Sequence, residues 1–157
     1  MNITWIGQGG YLVEQNGWRL AIDPYLTDAL AASHGLHRLA PPPVAIADLG
    51  AQAVFVTHDH LDHFDPETLG PWMQLSLACR LIGPQSVVDH GRRLGIEESR
   101  LELATIDAPM SLPGLRLTPT PAQHSDPAAV GLLIEGAGRT VYLSGDTLYH
   151  DALAPRI

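Results

Sequence analysis

The chain contains no lysine, and its nine basic residues are all arginines. They stand against 17 aspartates and glutamates, which gives a formal net charge of -8. Proteins that grip a nucleic-acid backbone normally present a basic surface, so an acidic chain is poorly suited to that role. We therefore expect a small-molecule substrate and no nucleic-acid partner. Divalent cations would offset part of the negative charge.

Cysteine and long apolar runs are also scarce. Cys79 is the only cysteine, so the chain cannot form an internal disulfide, and a reducing compartment is the simplest setting. We expect its thiol to be a buried structural group. No apolar stretch reaches the roughly 18–20 residues that a membrane helix needs, and the N-terminus lacks the basic start of a signal peptide. These features predict a cytoplasmic protein without a membrane partner, and the arginine-only basic set is typical of a GC-rich bacterial genome.

The size and hydrophobic content suit one globular domain over residues 1–157, with 45% hydrophobic and 17% charged residues. The start of the chain is rich in predicted strands, at residues 3–6, 11–14 and 18–22. Asn16-Gly17 predicts a tight hairpin turn between the last two of these. Residues 28–43 are predicted to form an irregular surface loop over the functional site.

Strands alternate with helices further along the chain. Residues 53–56 form a continuous apolar run, which is typical of a strand buried on both faces. Asp65 and Pro66 predict the start of a helix, and Gly95 predicts the end of another that covers residues 85–94. Further strands are predicted at residues 80–83, 101–106, 115–119, 129–135 and 140–144. The pattern indicates an α/β fold in which helices cover one sheet and a second sheet follows.

Three histidines and two aspartates occupy the segment from His58 to His63, directly after the predicted buried strand. Five ionisable side chains have no evident packing purpose at that place. If the segment is extended, alternate side chains share a side, so His58, His60 and Asp62 would point one way and His63 the other. Imidazole and carboxylate ligands suit Zn²⁺, Mn²⁺ or Fe²⁺. The segment therefore predicts ligands for neighbouring metal positions.

This segment resembles the His-x-His-x-Asp-His signature of the metallo-β-lactamase superfamily. The signature is filled at all four positions, by His58, His60, Asp62 and His63. Three further residues match the family pattern in order: Asp23, where an aspartate braces the site, His124, a third ligand of the first metal, and Asp146, an aspartate that bridges two metals. The resemblance implies an αββα sandwich of the metallo-β-lactamase type. It implies a ligand set of His58, His60 and His124 for one ion, and of Asp62 and His63 for a second, with Asp146 between them.

The same resemblance implies a metal-dependent hydrolase that uses one or two divalent ions, zinc or manganese. A metal-bound hydroxide would attack a small ester, lactone or phosphorylated metabolite, and Asp62 would orient that water or carry a proton as the catalytic residue. Residues 4–14 and 57–66 are similar to the branch that includes ascorbate-6-phosphate lactonase.

Two other functions stay open at this point. A phosphodiesterase or nuclease of the same superfamily shares the histidine motif, although the acidic charge and the absence of lysine disfavour it. The other alternative is a truncated, non-catalytic metal-binding domain. Oxygen-reducing diiron relatives usually carry glutamate in place of the second histidine, so His60 argues against that chemistry.

The chain departs from the family pattern near its end. The pattern has one more histidine well downstream of the bridging aspartate, whereas this sequence ends at Ile157, soon after Asp146. His150 lies too close to Asp146 to replace that ligand. We therefore expect the N-terminal portion of a larger enzyme, with a complete first metal site, an incomplete second one and a C-terminal half of the fold that is absent. Apolar surface left open in this way would favour a homo-oligomer.

The remaining polar residues receive plainer interpretations. The other histidines are expected to be solvated or structural: His34, His37 and His90. Arg38 is expected to be a solvated surface residue, with contact to an anionic substrate group as the alternative. Ser144 and Thr147 are expected to hold the carboxylate of Asp146 in place.

Overall fold

The computed structural model describes residues 1–151 and 153, and within them ten strands form two sheets. The first sheet has six strands in the order β1-β2-β3-β4-β5-β6. Its strands are β1 (Asn2–Gly7), β2 (Gly10–Gln15), β3 (Trp18–Ile22), β4 (Ala53–Phe55), β5 (Arg80–Gly83) and β6 (Leu101–Leu103). The second sheet has the order β10-β9-β8-β7. Its strands are β7 (Met110–Leu112), β8 (Leu115–Pro121), β9 (Val130–Gly136) and β10 (Arg139–Leu143).

Three α-helices lie between the strands of the first sheet: α1 (Ala29–His34), α2 (Pro66–Leu75) and α3 (Gln85–Arg93). The Asp65 carboxylate caps α2 by accepting the N–H of Glu67 at 3.0 Å, and Pro66 takes the first helical position. Gly95 follows α3 with a φ of 82°, the left-handed conformation common after a helix. Short 3-10 helices occur at Ile46–Asp48 and Glu98–Arg100.

The strand directions follow from the connections. β1, β2 and β3 are antiparallel, and Asn16 and Gly17 join β2 to β3 with φ values of 53° and 75°, as expected of a tight two-residue turn. From β3 to β6 the neighbours are parallel. Parallel strands need crossover connections, and α2 and α3 lie in the crossovers on either side of β5. The carboxyl ends of β3, β4 and β5 therefore lie at one edge of the sheet.

Two apolar clusters form the core, one on each face of the first sheet. Val54 and Leu81 belong to the cluster that includes Leu69 of α2, whereas Phe55 packs with Leu132 and other residues of the second sheet. Val54 and Phe55 are both fully buried, so β4 is covered on both sides, as its continuous apolar run predicts. Burial of each such side chain stabilises the folded state by about 1.5–3 kcal/mol. This packing fixes the position of the end of β4, where the histidine motif begins.

The predicted mixed α/β class with two sheets is confirmed, and two local predictions are wrong. Residues 28–43 contain α1, which has no buried residue and no side-chain cap at its start, so no apolar periodicity reveals it in the sequence. The strand predicted at 101–106 ends at Leu103, and the short strand β7 was not predicted. Among the described residues, no helix has the length and apolarity that crossing a membrane requires.

Candidate metal centre

Four imidazole rings converge where the ends of the two sheets meet. The ring centroid of His58 lies 4.8 Å from that of His60, 4.1 Å from that of His63 and 4.4 Å from that of His124. The first three histidines follow β4, whereas His124 follows β8 of the second sheet. Asp146 follows β10, so each of these side chains comes from a loop at the carboxyl end of a strand.

The histidine segment is a series of turns and not an extended strand. The backbone N–H groups of His63 and Phe64 both donate to the carbonyl oxygen of His60, at 2.9 and 2.7 Å. This turn brings the ring of His63 back beside that of His58. The prediction that His63 points away from His58 is therefore wrong, because the alternation on which it rested holds only for extended backbone.

Thr57 sets the protonation of His58. Its hydroxyl donates to Oδ2 of Asp23 at 2.7 Å and so accepts from Nδ1 of His58 at 3.0 Å. The other ring nitrogen, Nε2, is left with its lone pair, and it is buried without a hydrogen-bond partner among the described residues. Burial and the neighbouring charge of His63 lower the pKa of His58 to about 4, which keeps this ring neutral. A buried, unpaired imidazole nitrogen among three other imidazoles is what a divalent metal ion needs from a ligand.

Asp23 lies next to the cluster and binds Thr57 and His63, in agreement with the bracing role that the resemblance implies. Its carboxylate accepts from the backbone N–H of Thr57 at 2.7 Å, from the Thr57 hydroxyl, and from Nδ1 of His63 at 2.9 Å. The residue is 2% exposed and has a φ of 45°, a left-handed conformation that aspartate tolerates better than most residues. These three bonds stabilise the unusual backbone and fix the rotation of the His63 ring.

His63 and Asp146 form a charged pair. Nε2 of His63 lies 3.3 Å from Oδ1 of Asp146. Burial opposes a charge on His63, but hydrogen bonds to Asp146 and Asp23 outweigh it and raise the pKa of His63 to about 10. The hydrogen bond from His63 lowers the pKa of Asp146 to about 2. Nδ1 of His63 is committed to Asp23, so Nε2 is the nitrogen directed at the cluster.

Over residues 1–151 and 153, two sets of side chains bring their ligand atoms within 4.8 Å of one another: His58, His60 and His124, and His58, His63 and Asp146. The first set is the one implied for the first metal. Asp62 belongs to neither set; its Oδ2 lies 3.8 Å from Nε2 of His63 and accepts from Nε2 of Gln8 at 3.2 Å. The side chain of Asp62 is 23% exposed, so its carboxylate borders the cluster from the open side.

Two residues near Asp146 do not have the predicted role. The Ser144 hydroxyl donates to the carbonyl oxygen of Gly145, and the Thr147 hydroxyl accepts from Gln123 and donates to Leu148. The prediction that they hold the Asp146 carboxylate is wrong, because both hydroxyls bond to nearby backbone instead. His150 belongs to neither ligand set, although its Nε2 is buried and has no hydrogen-bond partner in the part of the chain that the structure describes.

Arg38 is a structural clamp and not the solvated residue predicted. Its Nη1 donates to the carbonyl oxygens of Tyr25 and Thr27, at 2.5 and 3.3 Å, and its Nε donates to that of Ala40 at 3.2 Å. The guanidinium also lies 4.7 Å above the Tyr25 ring. These contacts commit most of its donors, which disfavours an anion-binding role. His34 and His37 are exposed, as predicted.

Open space borders the histidine cluster on two sides. One cavity of about 250 Å³ lies beside His63 and Asp146, next to Gly9. A Cβ atom on Gly9 would lie 3.2 Å from Cε1 of His63, so glycine lets this loop approach the ring closely. A second cavity of about 320 Å³ lies beside His60 and Asp62. It is bordered by Leu30, His34 and Leu36, which belong to residues 28–40, here called the 28–40 segment.

Sequence reasoning missed a set of polar residues next to the cluster. Asp126 accepts from the backbone N–H of Asp59 at 3.0 Å, and the Asp59 carboxylate pairs with Nδ1 of His90. His90 is therefore structural, one of the two roles expected of it, and its ring stacks on that of Phe64 at 3.9 Å. The available signal was the spacing of Ser86, His90 and Arg93, which places three polar side chains on one face of α3.

With this geometry in place, comparison with known proteins identifies the family. The family model described as the beta-lactamase superfamily domain matches residues 19–157. The chain belongs to the beta-lactamase superfamily. Membership agrees with the two-sheet fold and with the placement of the four histidines at the carboxyl ends of strands.

Curated superfamily relatives extend beyond the length of this chain. An uncharacterized protein of Mycobacterium tuberculosis is 30% identical over an alignment of 158 positions, which covers 94% of this chain and 42% of that protein. A UPF0173 metal-dependent hydrolase of Pyrobaculum neutrophilum is 29% identical over an alignment of 157 positions, which covers 96% of this chain and 64% of the relative. The chain thus spans less than two thirds of the length of these relatives.

Solved structures show the same fold. Igni18, a metallo hydrolase from Ignicoccus hospitalis, superposes with a TM-score of 0.71 at 24% identity, over 95% of this chain and 62% of that one. The isothiocyanate hydrolase from Delia radicum gut bacteria gives a TM-score of 0.76 at 22% identity, over 99% of this chain and 66% of that one. At these identities the likeness establishes the fold of the chain and not its substrate.

Proposed function

We propose that this chain is a metal-dependent hydrolase domain that binds one or two divalent ions, zinc or manganese, through its histidine cluster. His58, His60 and His124 would hold the first ion, and His63 and Asp146 the second, with Asp62 at its edge. The observation that carries the proposal is Nε2 of His58, which is buried, unprotonated and without a hydrogen-bond partner at the centre of the cluster. Relatives named metal-dependent hydrolases support the same conclusion.

The donor set fits divalent metals of borderline softness. Imidazole and carboxylate ligands without thiolate favour zinc, manganese or iron over softer metals. A divalent ion bound here would lower the pKa of a bound water and polarise the oxygen of the group under attack. Asp23 and Thr57 orient the rings of His58 and His63, which keeps the ligand nitrogens directed inward.

Asp62 is the residue of this chain that we assign to proton transfer. Its carboxylate lies beside His63, is held by the amide of Gln8, and remains partly open to solvent. A carboxylate in that position can take a proton from the attacking water and deliver it to the leaving group. Because Asp62 lies outside both ligand sets, we assign its carboxylate to this task.

The substrate that we propose is a small ester, lactone or phosphorylated metabolite, as in the lactonase-like branch. The two cavities beside the cluster, of about 250 and 320 Å³, are of a size that small molecules occupy. The net charge of -8 disfavours a nucleic-acid backbone. Leu30, Leu36 and His34 would contact the part of the substrate that extends away from the reacting group.

The test combines metal binding with a substrate panel. The purified chain, stripped with a chelator, is titrated with Zn²⁺ and Mn²⁺ and assayed against carboxylic esters, lactones, phosphate monoesters and a phosphodiester. We expect tight binding of at least one equivalent, and hydrolysis that disappears with chelator and returns with metal.

His60→Ala should abolish that activity while the far-UV circular dichroism spectrum stays unchanged, with exposed His37→Ala as the matched control. Unaltered hydrolysis in His60→Ala with verified metal content would contradict the proposal. Faster hydrolysis of the phosphodiester than of the esters would move the function to the phosphodiesterase class. Metal binding without any hydrolysis would indicate a non-catalytic domain.

A further inference from the structure

We propose that a network of polar residues on α3 and in two loops acts as a positioning device that sets the distance between His60 and His124. Its members are Asp59, Ser86, His90, Arg93 and Asp126, and we call it the α3 network. The inference rests on the proposed metal site, because His60 and His124 are two of the three ligands of the first set. Neither Asp59 nor Asp126 is in a ligand set, so both act through other residues.

Asp126 joins the two loops that carry these ligands. It lies two residues after His124 in the same loop, with its backbone nitrogen 3.1 Å from Nδ1 of that ring, and its Oδ2 accepts from the backbone N–H of Asp59, next to His60, at 3.0 Å. A carboxylate in the loop of one ligand is therefore bonded to the peptide that adjoins another. Its Oδ1 accepts from the N–H of Ala128 at 2.8 Å, which holds the carboxylate in one orientation.

The helix fixes this junction through one of its faces. Ser86, His90 and Arg93 are spaced four and three residues apart and so lie on one side of α3. Ser86 donates to Oδ2 of Asp126 at 2.7 Å, whereas His90 and Arg93 contact the two carboxylate oxygens of Asp59. The helix therefore holds both acidic residues, one in each ligand loop.

Packing supports the same arrangement. The ring of His90 stacks on Phe64 with an interplanar angle of 12°, and Phe64 is fully buried next to His63. Because the N–H of Phe64 bonds to the carbonyl oxygen of His60, movement of α3 would shift the turn that presents His60. Groups that hold metal ligands in place typically change metal affinity 10–100-fold when they are removed.

Hydrogen bonding shows why the network is specific for a carboxylate at position 126. Three donors converge on the carboxylate: the Ser86 hydroxyl and the N–H groups of Asp59 and Ala128. Asparagine has the same shape, but its NH₂ group would face at least one of these donors. Asp126→Asn therefore removes at least one of the three hydrogen bonds and weakens the junction without leaving a void.

The experiment measures binding of Co²⁺ and its visible absorption spectrum, both of which respond to ligand geometry. We expect Asp126→Asn to weaken the first equivalent of Co²⁺ by about 10–100-fold and to change the Co²⁺ bands. Asp89→Asn is the matched control, since Asp89 is an acidic residue of α3 that pairs with Arg92 and Gln85 on the exposed side. The control should bind Co²⁺ like the unsubstituted chain.

If Asp126→Asn does not fold, two variants of Ser86 test the positioning role of the α3 network. Ser86→Ala removes one donor to Asp126 and should weaken Co²⁺ binding, whereas Ser86→Thr keeps the hydroxyl and should restore it. A lower melting temperature in Ser86→Ala and Asp126→Asn with unchanged Co²⁺ affinity and spectrum would overturn the inference, because the network would then be structural only. Failure of the unsubstituted chain to bind Co²⁺ would instead overturn the proposed function.

Discussion

The buried and the open parts of the ligand cluster are held in different ways. His58 and His63 are 1% and 2% exposed, and each has Nδ1 fixed by a hydrogen bond to Thr57 or Asp23. His60 is exposed, and the Asp146 side chain is 48% exposed. Buried hydrogen bonds thus fix the orientation of the rings of His58 and His63. The positions of His60 and Asp146 depend on more exposed parts of their loops. The buried pair should govern stability, and the open ligands should govern affinity and access.

The largest expected effect is that of His58→Ala. Because Nε2 of His58 is the buried ligand atom assigned to the first ion, its loss should weaken the first bound equivalent by more than the roughly 10–100-fold typical of residues that merely orient a ligand. Isothermal titration with Zn²⁺ measures this, and His37→Ala is an exposed control. A first equivalent that binds as tightly as in the unsubstituted chain would show that His58 is not a ligand.

Asp23→Ala should cost the most in stability. It removes three hydrogen bonds and leaves the buried His63 without the carboxylate at its Nδ1. Breaking a buried charged pair costs about 3–5 kcal/mol of unfolding free energy, whereas a change at the exposed Asp48 should stay within about 0.5 kcal/mol. Urea unfolding of both variants gives the comparison, and equal stability of the two would remove the distinction between the buried and open parts.

Asp146→Asn probes the open side. Because this carboxylate is half exposed, its replacement should change the unfolding free energy by less than about 1 kcal/mol. It should nevertheless remove the second metal equivalent while the first, held by the histidines, persists. Titration of Zn²⁺ with a coloured competitor counts the equivalents, and a large loss of stability would contradict the assignment of Asp146 to the open part.

The smallest expected effect is the number of protons that the chain releases when it binds a metal ion. Without metal, His63 keeps its proton up to a pH of about 10, because its pKa is raised there by Asp146 and Asp23. A raised pKa stabilises the fold below the ordinary value near 6.5, and that contribution is lost as the pH rises through about 10. Metal bound at Nε2 must displace the proton, so about one proton should be released per chain at pH 8.

Calorimetry in buffers of different ionisation enthalpy measures this release. His63→Gln should release none, and His58 should contribute little because its pKa of about 4 leaves it neutral already. Equal proton release by the unsubstituted chain and His63→Gln would show that His63 is not a ligand.

The sequence reveals the buried part of the site better than its surroundings. The histidines after β4 are close in sequence, and the apolar run that precedes them predicts a buried strand, which the structure has. The direction of His63 was predicted wrongly, because a hydrogen-bonded turn at His60 replaces the assumed extended backbone. Spacing along a sequence does not encode such a turn.

The α3 network was missed for a different reason. Asp126 lies 67 residues from Asp59, and His90 lies 31 residues from it. Their contacts depend on the crossover that lays α3 beside β5 and on the way the second sheet stacks on the first. A single sequence determines neither the path of the crossover nor the stacking of the sheets. These residues therefore look like ordinary surface groups until the fold is known.

Arg38 makes the 28–40 segment a natural starting point for directed evolution. Its guanidinium binds the carbonyl oxygens of Tyr25 and Thr27 before the segment and of Ala40 at its end, so one side chain closes the segment at its base. The positions between, including Leu30, His34 and Leu36, border the second cavity. A combinatorial library that randomises these three positions and keeps Arg38 would diversify substrate contacts while the strands that carry the histidines stay untouched.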